Sequence, residues 1–294
     1  MKLILVVFGA LLPPTSASAQ TTFADKPALQ DAADLWCSNE TAALAEHGNI
    51  ADWDVSRITD LSCLFSAWCG GSTTGKSTCN PDISSWDTSA VLDMSSMFWG
   101  ASSFDKDLSS WDVSAAIDMI GMFSGATSFD KDISSWNTSA VLYMTAMFSG
   151  ATSFDKDISS WDTSAVRFMG VMFYEATAFN KDISSWDTSA VLYMGGMFDG
   201  ASSLSDCNKA LIHASFDAQT SAWPYNSWGS LASFLLFAAH RASARAGFEY
   251  AVEGKASRCK LFKGPILSTL PVGGARCCYK KASKTELGPH KKRL

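Results

Sequence analysis

The sequence predicts an α/β repeat solenoid capped at both ends, and three observations carry that expectation. Trp86, Trp111, Trp136, Trp161 and Trp186 stand at strict intervals of 25 residues. Phe98, Phe123, Phe148, Phe173 and Phe198 keep the same step, as do Met94, Met119, Met144, Met169 and Met194. A looser earlier copy surrounds Trp53, offset by 33 residues from Trp86, with Ile50, Ile58, Leu61, Leu64 and Phe65 in the apolar places. A fixed period of this size marks units that cannot bury their own faces and stack to share one core.

Residues 1–19 read as a secretory signal. Lys2 is the positive end, Leu3 to Leu12 the apolar stretch, and Ala17-Ser18-Ala19 the small-residue cleavage site before Gln20. That stretch is too short to span a bilayer, and a later one, Leu231 to Ala239, stops at His240. A secreted or extracellular-surface protein with no transmembrane segment is expected. Residues 20–49, helical from Leu29 to Leu44, form the expected N-terminal cap. Residues 50–204 hold six units with an insertion at 66–79, and 205–229 form a C-terminal cap, helical from Asn208 to Phe216.

Within the third unit, Met119, Met122 and Phe123 are spaced for one short helical or 3₁₀ turn, ended at Ser124-Gly125. The stretch Asp107-Leu108-Ser109-Ser110 is short, extended in character and bounded by turn formers, which predicts a strand. One short parallel strand and one such turn per unit make the predicted class leucine-rich-repeat-like, with a β-solenoid as the alternative. The Trp and Phe ladders then belong to the structural core, and the paired Met residues fill its gaps.

Charge divides along the chain. Residues 1–230 hold 10 Lys and Arg against 26 Asp and Glu, a net of −16. Residues 231–294 hold 13 against 3, a net of +10. The tail, 230–294, reads either as a basic arm for anionic surfaces or as a disordered extension outside the fold. No nucleic-acid motif accompanies it. Eight cysteines suit an oxidising compartment. Cys37, Cys63, Cys69 and Cys79 cluster around the insertion; a Cys69–Cys79 bridge, leaving Cys37 with Cys63, is the expected pairing. A zinc site lacks paired C-x-x-C spacing.

Two acidic ladders recur: Asp82, Asp107, Asp132, Asp157, Asp182, and Asp87, Asp112, Asn137, Asp162, Asp187. Turn amides and the interleaved Lys106, Lys131, Lys156 and Lys181 are expected to satisfy them. Calcium bridging between Asp107, Asp132 and Asp157 is the weaker metal alternative, and otherwise no cofactor is expected. Catalysis finds little to build on. A periodic array makes carboxylates alike, whereas acid–base work needs unlike ones. His47, His213, His240 and His290 all lie outside the units.

Positions that vary between units carry more. Before the first Met of each unit stand Asp60, Asp93, Asp118, Tyr143, Phe168 and Tyr193. After the Phe stand Trp99, Ser124, Ser149, Tyr174 and Asp199. Stacking turns Tyr143, Phe168 and Tyr193 into an aromatic strip, with Tyr174 and Trp99 as further candidates for a surface glycan or protein ligand. The competing reading is a self-stacking ladder that only supports the fold. Asn39-Glu40-Thr41 and Asn137-Thr138-Ser139 are glycosylation sequons in expected surface turns.

The phrase F-D-K-D-I-S-S-W-D-T-S-A-V-L-x-M-x-x-M-F-x-G-A, over about residues 50–204, resembles the repeat of BspA-like leucine-rich-repeat surface proteins, typified by mycoplasma surface lipoproteins. The resemblance implies a right-handed repeat solenoid and a surface or secreted role, often inferred as adhesion. The signal ends in Ala-Ser-Ala-Gln without a cysteine for lipidation. The expectation is a monomeric, non-enzymatic binding module. A carbohydrate-active enzyme or accessory domain and a purely structural surface protein are the alternatives.

Overall fold

A computed structural model of the protein describes residues 20–231. The signal 1–19 and nearly all of the basic tail lie outside the described residues.

The chain enters through two helices, α1 (Lys26–Ser38) and α2 (Glu40–His47). Asp25 caps α1 by accepting from the Ala28 amide, with Pro27 in the first turn, where its missing N–H costs nothing. The sequence suggests one helical stretch from Leu29 to Leu44; instead the helix breaks at Asn39, whose extended backbone (φ −156°) frees its carboxamide to accept from the Ala42 amide and start α2. Leu29, Ala32 and Ala33 of α1 join the core under Phe23 and Trp53.

Six rungs follow, joined by parallel bridges Asp60–Asp93–Asp118–Tyr143–Phe168–Tyr193. The bridges lie just before the first Met of each unit, not at Asp107–Ser110. There the Asp107 carboxylate accepts from the Ser109 amide and bends the chain into a turn instead of a strand. From each bridge the backbone bonds to the next rung at every second residue: Met94 N to Asp118 O (2.9 Å), Ser96 N to Ile120 O (2.7 Å), Phe98 N to Met122 O (2.9 Å), Gly100 N to Ser124 O (2.7 Å). Within the rung, Met97 N to Met94 O and Ala101 N to Phe98 O close successive tight turns. Among the described residues these remain turns; no 3₁₀ helix forms at the Met–Phe segment.

Both turns place one residue in the left-handed region. The first column is Cys63, Ser96, Gly121, Ala146, Val171 and Gly196; the second is Gly100, Gly125, Gly150, Glu175 and Gly200. Side chains cost about 1–2 kcal/mol there, so glycine dominates the second column, and Glu175 (φ 53°) is its exception.

Inside, identical residues meet. The Phe65–Phe98–Phe123–Phe148–Phe173–Phe198 rings stack at centroid steps of 5.5–5.8 Å. Each Trp of the 25-residue ladder is buried, and its Nε1 donates to a carbonyl in the unit before: Trp111 to Ile83, Trp136 to Leu108, Trp161 to Ile133, Trp186 to Ile158, all within 2.9–3.0 Å. The final rung is covered by α3 (Asp206–Gln219) and by Trp223, Tyr225 and Trp228, which pack on Phe198. His213 belongs to this lid, accepting from Trp223 Nε1 at 2.8 Å.

The disulfide pairing differs from the expected one: Cys37 joins Cys79, and Cys63 joins Cys69. Gly75 packs against the Cys37 carbonyl, which carries Cys79 to the end of α1. Cys63 turns with positive φ (60°) beneath Gly70, which brings Cys69 to it. The insertion is thereby pinned across to α1, where Lys76, fully buried, pairs with Asp34 at 2.9 Å.

Glu175→Gly should raise stability by about 0.5–1 kcal/mol, and Gly150→Ala should lower it by a similar amount. Thermal unfolding of the two variants, with Tm moving a few degrees in opposite directions, is the check.

Candidate functional site

Because the Trp and Phe ladders repeat inside, chemistry differs between rungs chiefly at outer positions, and the bridge segment carries two of these columns. Two adjacent columns there reach solvent, the first mostly exposed and the second half-buried up to Tyr193. One is Leu92, Ile117, Leu142, Arg167 and Leu192, in which Leu92 is 44 %, Ile117 39 % and Leu192 64 % exposed. The other is the bridge column itself, acidic at Asp60, Asp93 and Asp118, aromatic at Tyr143, Phe168 and Tyr193.

The Tyr143 and Phe168 rings stack at 5.8 Å and 19°, both half-buried. Tyr193, 56 % exposed, does not continue the stack. Its ring lies over Gly170 and Gly195, where a Cβ would come within 2.4 Å and 2.6 Å of it. Other units carry Ser95, Ile120 and Thr145 at those places. The two glycines thus make room for Tyr193, a correlation within the repeat that signals the ring's position. Tyr174 and Trp99, 40 % and 41 % exposed, stand six residues further along their units with Ser124 and Ser149 between them. They form a separate column and make no ring contact with the Tyr143–Phe168 pair among the described residues. The Tyr174 hydroxyl is held by Glu175, which raises its pKa.

Sequence reasoning missed the Leu92–Leu192 column and Trp68. Trp68 is 72 % exposed and lies against Gly100. The column was legible as a varying position, Leu, Ile, Leu, Arg, Leu, beside a buried Val or Ala. Trp68 sits in the insertion, outside the period, so repetition says nothing of it.

The acidic end differs in environment. Burial tends to raise the Asp60 carboxyl, but hydrogen bonds from Lys26 (2.8 Å) and Ser62 outweigh it, and its pKa falls. Asp118 has no cation among the described residues; burial, with Asp93 as a smaller cause, outweighs the bond from the Ile120 amide (2.8 Å) and raises its pKa above the ordinary value.

The two repeated acidic ladders behave as turn caps. Asp107, Asp132 and Asp157 accept from Ser109, Ser134 and Ser159 amides at 2.9–3.0 Å. Asp112, Asp162 and Asp187 do the same for the serine two places on, and Asn137 does so for Ser139. The lysines go elsewhere than expected. Lys131, Lys156 and Lys181 pair with Asp105, Asp130 and Asp155 of the preceding unit at 2.6–2.7 Å, because those carboxylates also cap amides one rung up. Among the described residues no group of three or more His, Cys, Asp or Glu is placed to hold a metal ion. A shallow open depression of ≈ 330 Å³ between Asp132, Lys156 and Asp157 has no histidine in its lining. Asn39 and Asn137 are both exposed.

The family model described as "Mycoplasma protein of unknown function, DUF285" matches residues 37–136, 70–174 and 132–221. The chain belongs to this family. The overlapping matches follow the repeated units and run from Cys37 to Ser221, so DUF285 covers the stack, and its description carries no activity. No curated protein and no solved structure matches the chain. In this DUF285 protein no helix among the described residues is long and apolar enough to cross a membrane.

The Asp112, Asp162 and Asp187 carboxyls sit below their ordinary value because hydrogen bonds from the serine side chain and amide favour the charged form. Their stabilisation is full above the unfolded value of about 3.9 and is lost as pH falls through the lower folded value. Asn137 shows that a carboxamide holds the same turn. The Asp112→Asn/Asp162→Asn/Asp187→Asn variant should therefore fold, and its Tm should fall less steeply than wild type between about pH 5 and pH 2.

Proposed function

We propose that the protein is a secreted or cell-surface binding module, non-catalytic, that takes a protein or glycan partner on the varying columns of a leucine-rich-repeat-like solenoid. One observation carries the reading. The Trp and Phe ladders inside are constant through the 25-residue units, while the bridge column changes from Asp60, Asp93 and Asp118 to Tyr143, Phe168 and Tyr193, with Tyr193 exposed and Tyr143 and Phe168 half-buried. A ring at a position where other units keep a carboxylate is not needed to hold the stack. Aromatic faces supply large contact area at small conformational cost, and a backbone bonded rung to rung presents them already ordered.

The family supports a surface repeat protein in general terms, and the signal-like first residues support export. The leucine-rich-repeat-like class is favoured over the β-solenoid by bridges confined to one short segment per 25-residue unit. The non-enzymatic reading rests on carboxylates bound to turn amides and on a buried His213 committed to Trp223.

The test is a glycan and cell-surface binding screen of the secreted chain beside a Tyr143→Ala/Phe168→Ala/Tyr193→Ala variant. Binding that the variant loses while keeping its Tm is the expected result. Binding equal in both proteins would sink the aromatic strip as the site.

A further inference from the structure

We propose that the partner of this face is a second copy of the same chain, docked antiparallel about a two-fold axis midway along the stack. The inference rests on reading the two exposed columns as a binding face, and it names what binds there. It starts from an imbalance. Arg167 stands on the ladder between Leu142 and Leu192, its amide donating to Leu142 O and its carbonyl accepting from Leu192 N. It is exposed and, among the described residues, forms no ion pair or side-chain hydrogen bond. Asp93 and Asp118 accept the Ser95 and Ile120 amides at 2.8 Å and, among the described residues, have no cation, whereas Asp60 has Lys26 at 2.8 Å. An arginine without a counter-charge within an apolar column and two carboxylates that hold turn amides but no cation sit on one strip, and among the described residues no contact joins them.

A two-fold axis reverses the order of rungs, so the first faces the sixth, the second the fifth and the third the fourth. In that register the Asp93 rung of one copy faces the Arg167 rung of the other, with the long arginine side chain one column aside of the carboxylate it would reach, and Asp118 faces Tyr143, whose hydroxyl is a donor for its carboxylate. Leu192 and Tyr193 come opposite the neutralised Asp60–Lys26 pair. Each match occurs twice by symmetry. A parallel register would instead set Asp93 and Asp118 against themselves and Arg167 against Arg167. The exposed Leu92, Ile117 and Leu192 are buried in the same step, over a strip of roughly 24 Å given about 4.8 Å per rung. The acidic remainder of the body repels a second copy at long range, but beyond about 8 Å physiological salt screens it, while the contact pairs stay effective.

The experiment is sedimentation velocity on the secreted full chain at physiological salt, as wild type, Arg167→Glu, Asp93→Arg, and the double variant. The expected result is a concentration-dependent monomer–dimer equilibrium. Each single variant should weaken it by about tenfold or more, and the double variant, with the charges exchanged, should restore it. Arg167 has no side-chain bond to lose, so Arg167→Glu keeps its Tm. A double variant no better than the singles overturns the proposed register. A wild type that stays monomeric yet binds an outside partner through Tyr143, Phe168 and Tyr193 overturns self-pairing and leaves the broader reading standing. A monomer that binds nothing in that screen overturns both.

Discussion

Everything outside depends on the hydrogen bonds that pass from each rung to the next. Met94, Ser96, Phe98 and Gly100 donate to Asp118, Ile120, Met122 and Ser124, and the pattern repeats up the stack. These are alternate residues of a backbone that turns twice within eight positions, and the turns need a left-handed residue at two fixed places. The glycine column at 100, 125, 150 and 200 is therefore a condition of the ladder. A buried amide without its carbonyl costs about 1–3 kcal/mol, so a rung is satisfied only when its neighbours are in register. Register then places like on like: Phe on Phe, Trp Nε1 on the carbonyl of the unit before, Lys on the carboxylate of the unit before.

That constraint explains why variation is confined as it is. A change at Phe123 or Trp136 would meet its own kind on both sides, and large-to-small changes there leave a cavity costing about 3–5 kcal/mol. A change at Arg167 or Leu192 meets water. The face can consequently carry a gradient, acidic at one end and aromatic with one arginine at the other, while the scaffold beneath stays periodic. Tyr193 shows the limit of this freedom. Its ring needed Gly170 and Gly195 beneath it, so even the outer column is coupled between neighbouring rungs.

Much of this was readable from spacing. The period named which residues stack, and the contrast between constant and varying positions separated Trp86 from Tyr143. The period is silent about where along the unit the inter-rung bonds fall. Asp107–Ser110 has a strand's composition, but the Asp107 carboxylate takes the Ser109 amide and makes a turn. The same silence hid the lysines' partners, since Asp105 and Asp107 are both one unit below Lys131. Cys37 and Cys79 lie in the non-repeating parts, where connectivity follows from how α1 covers the first rung. The column containing Arg167 went unnoticed because aliphatic residues at four of its five places resemble core.

The measurement that bears most directly on this account is removal of one unit, in register and out of it. Deleting residues 130–154 joins Phe129 to Asp155 and removes 25 residues, one full period. Deleting 130–153 removes one residue fewer and shifts every later position by one. The in-register deletion should give a protein that unfolds cooperatively at a Tm only several degrees below wild type, and the out-of-register deletion should lose the cooperative transition. Equal loss in both, or equal tolerance of both, would contradict a structure held by rung-to-rung register.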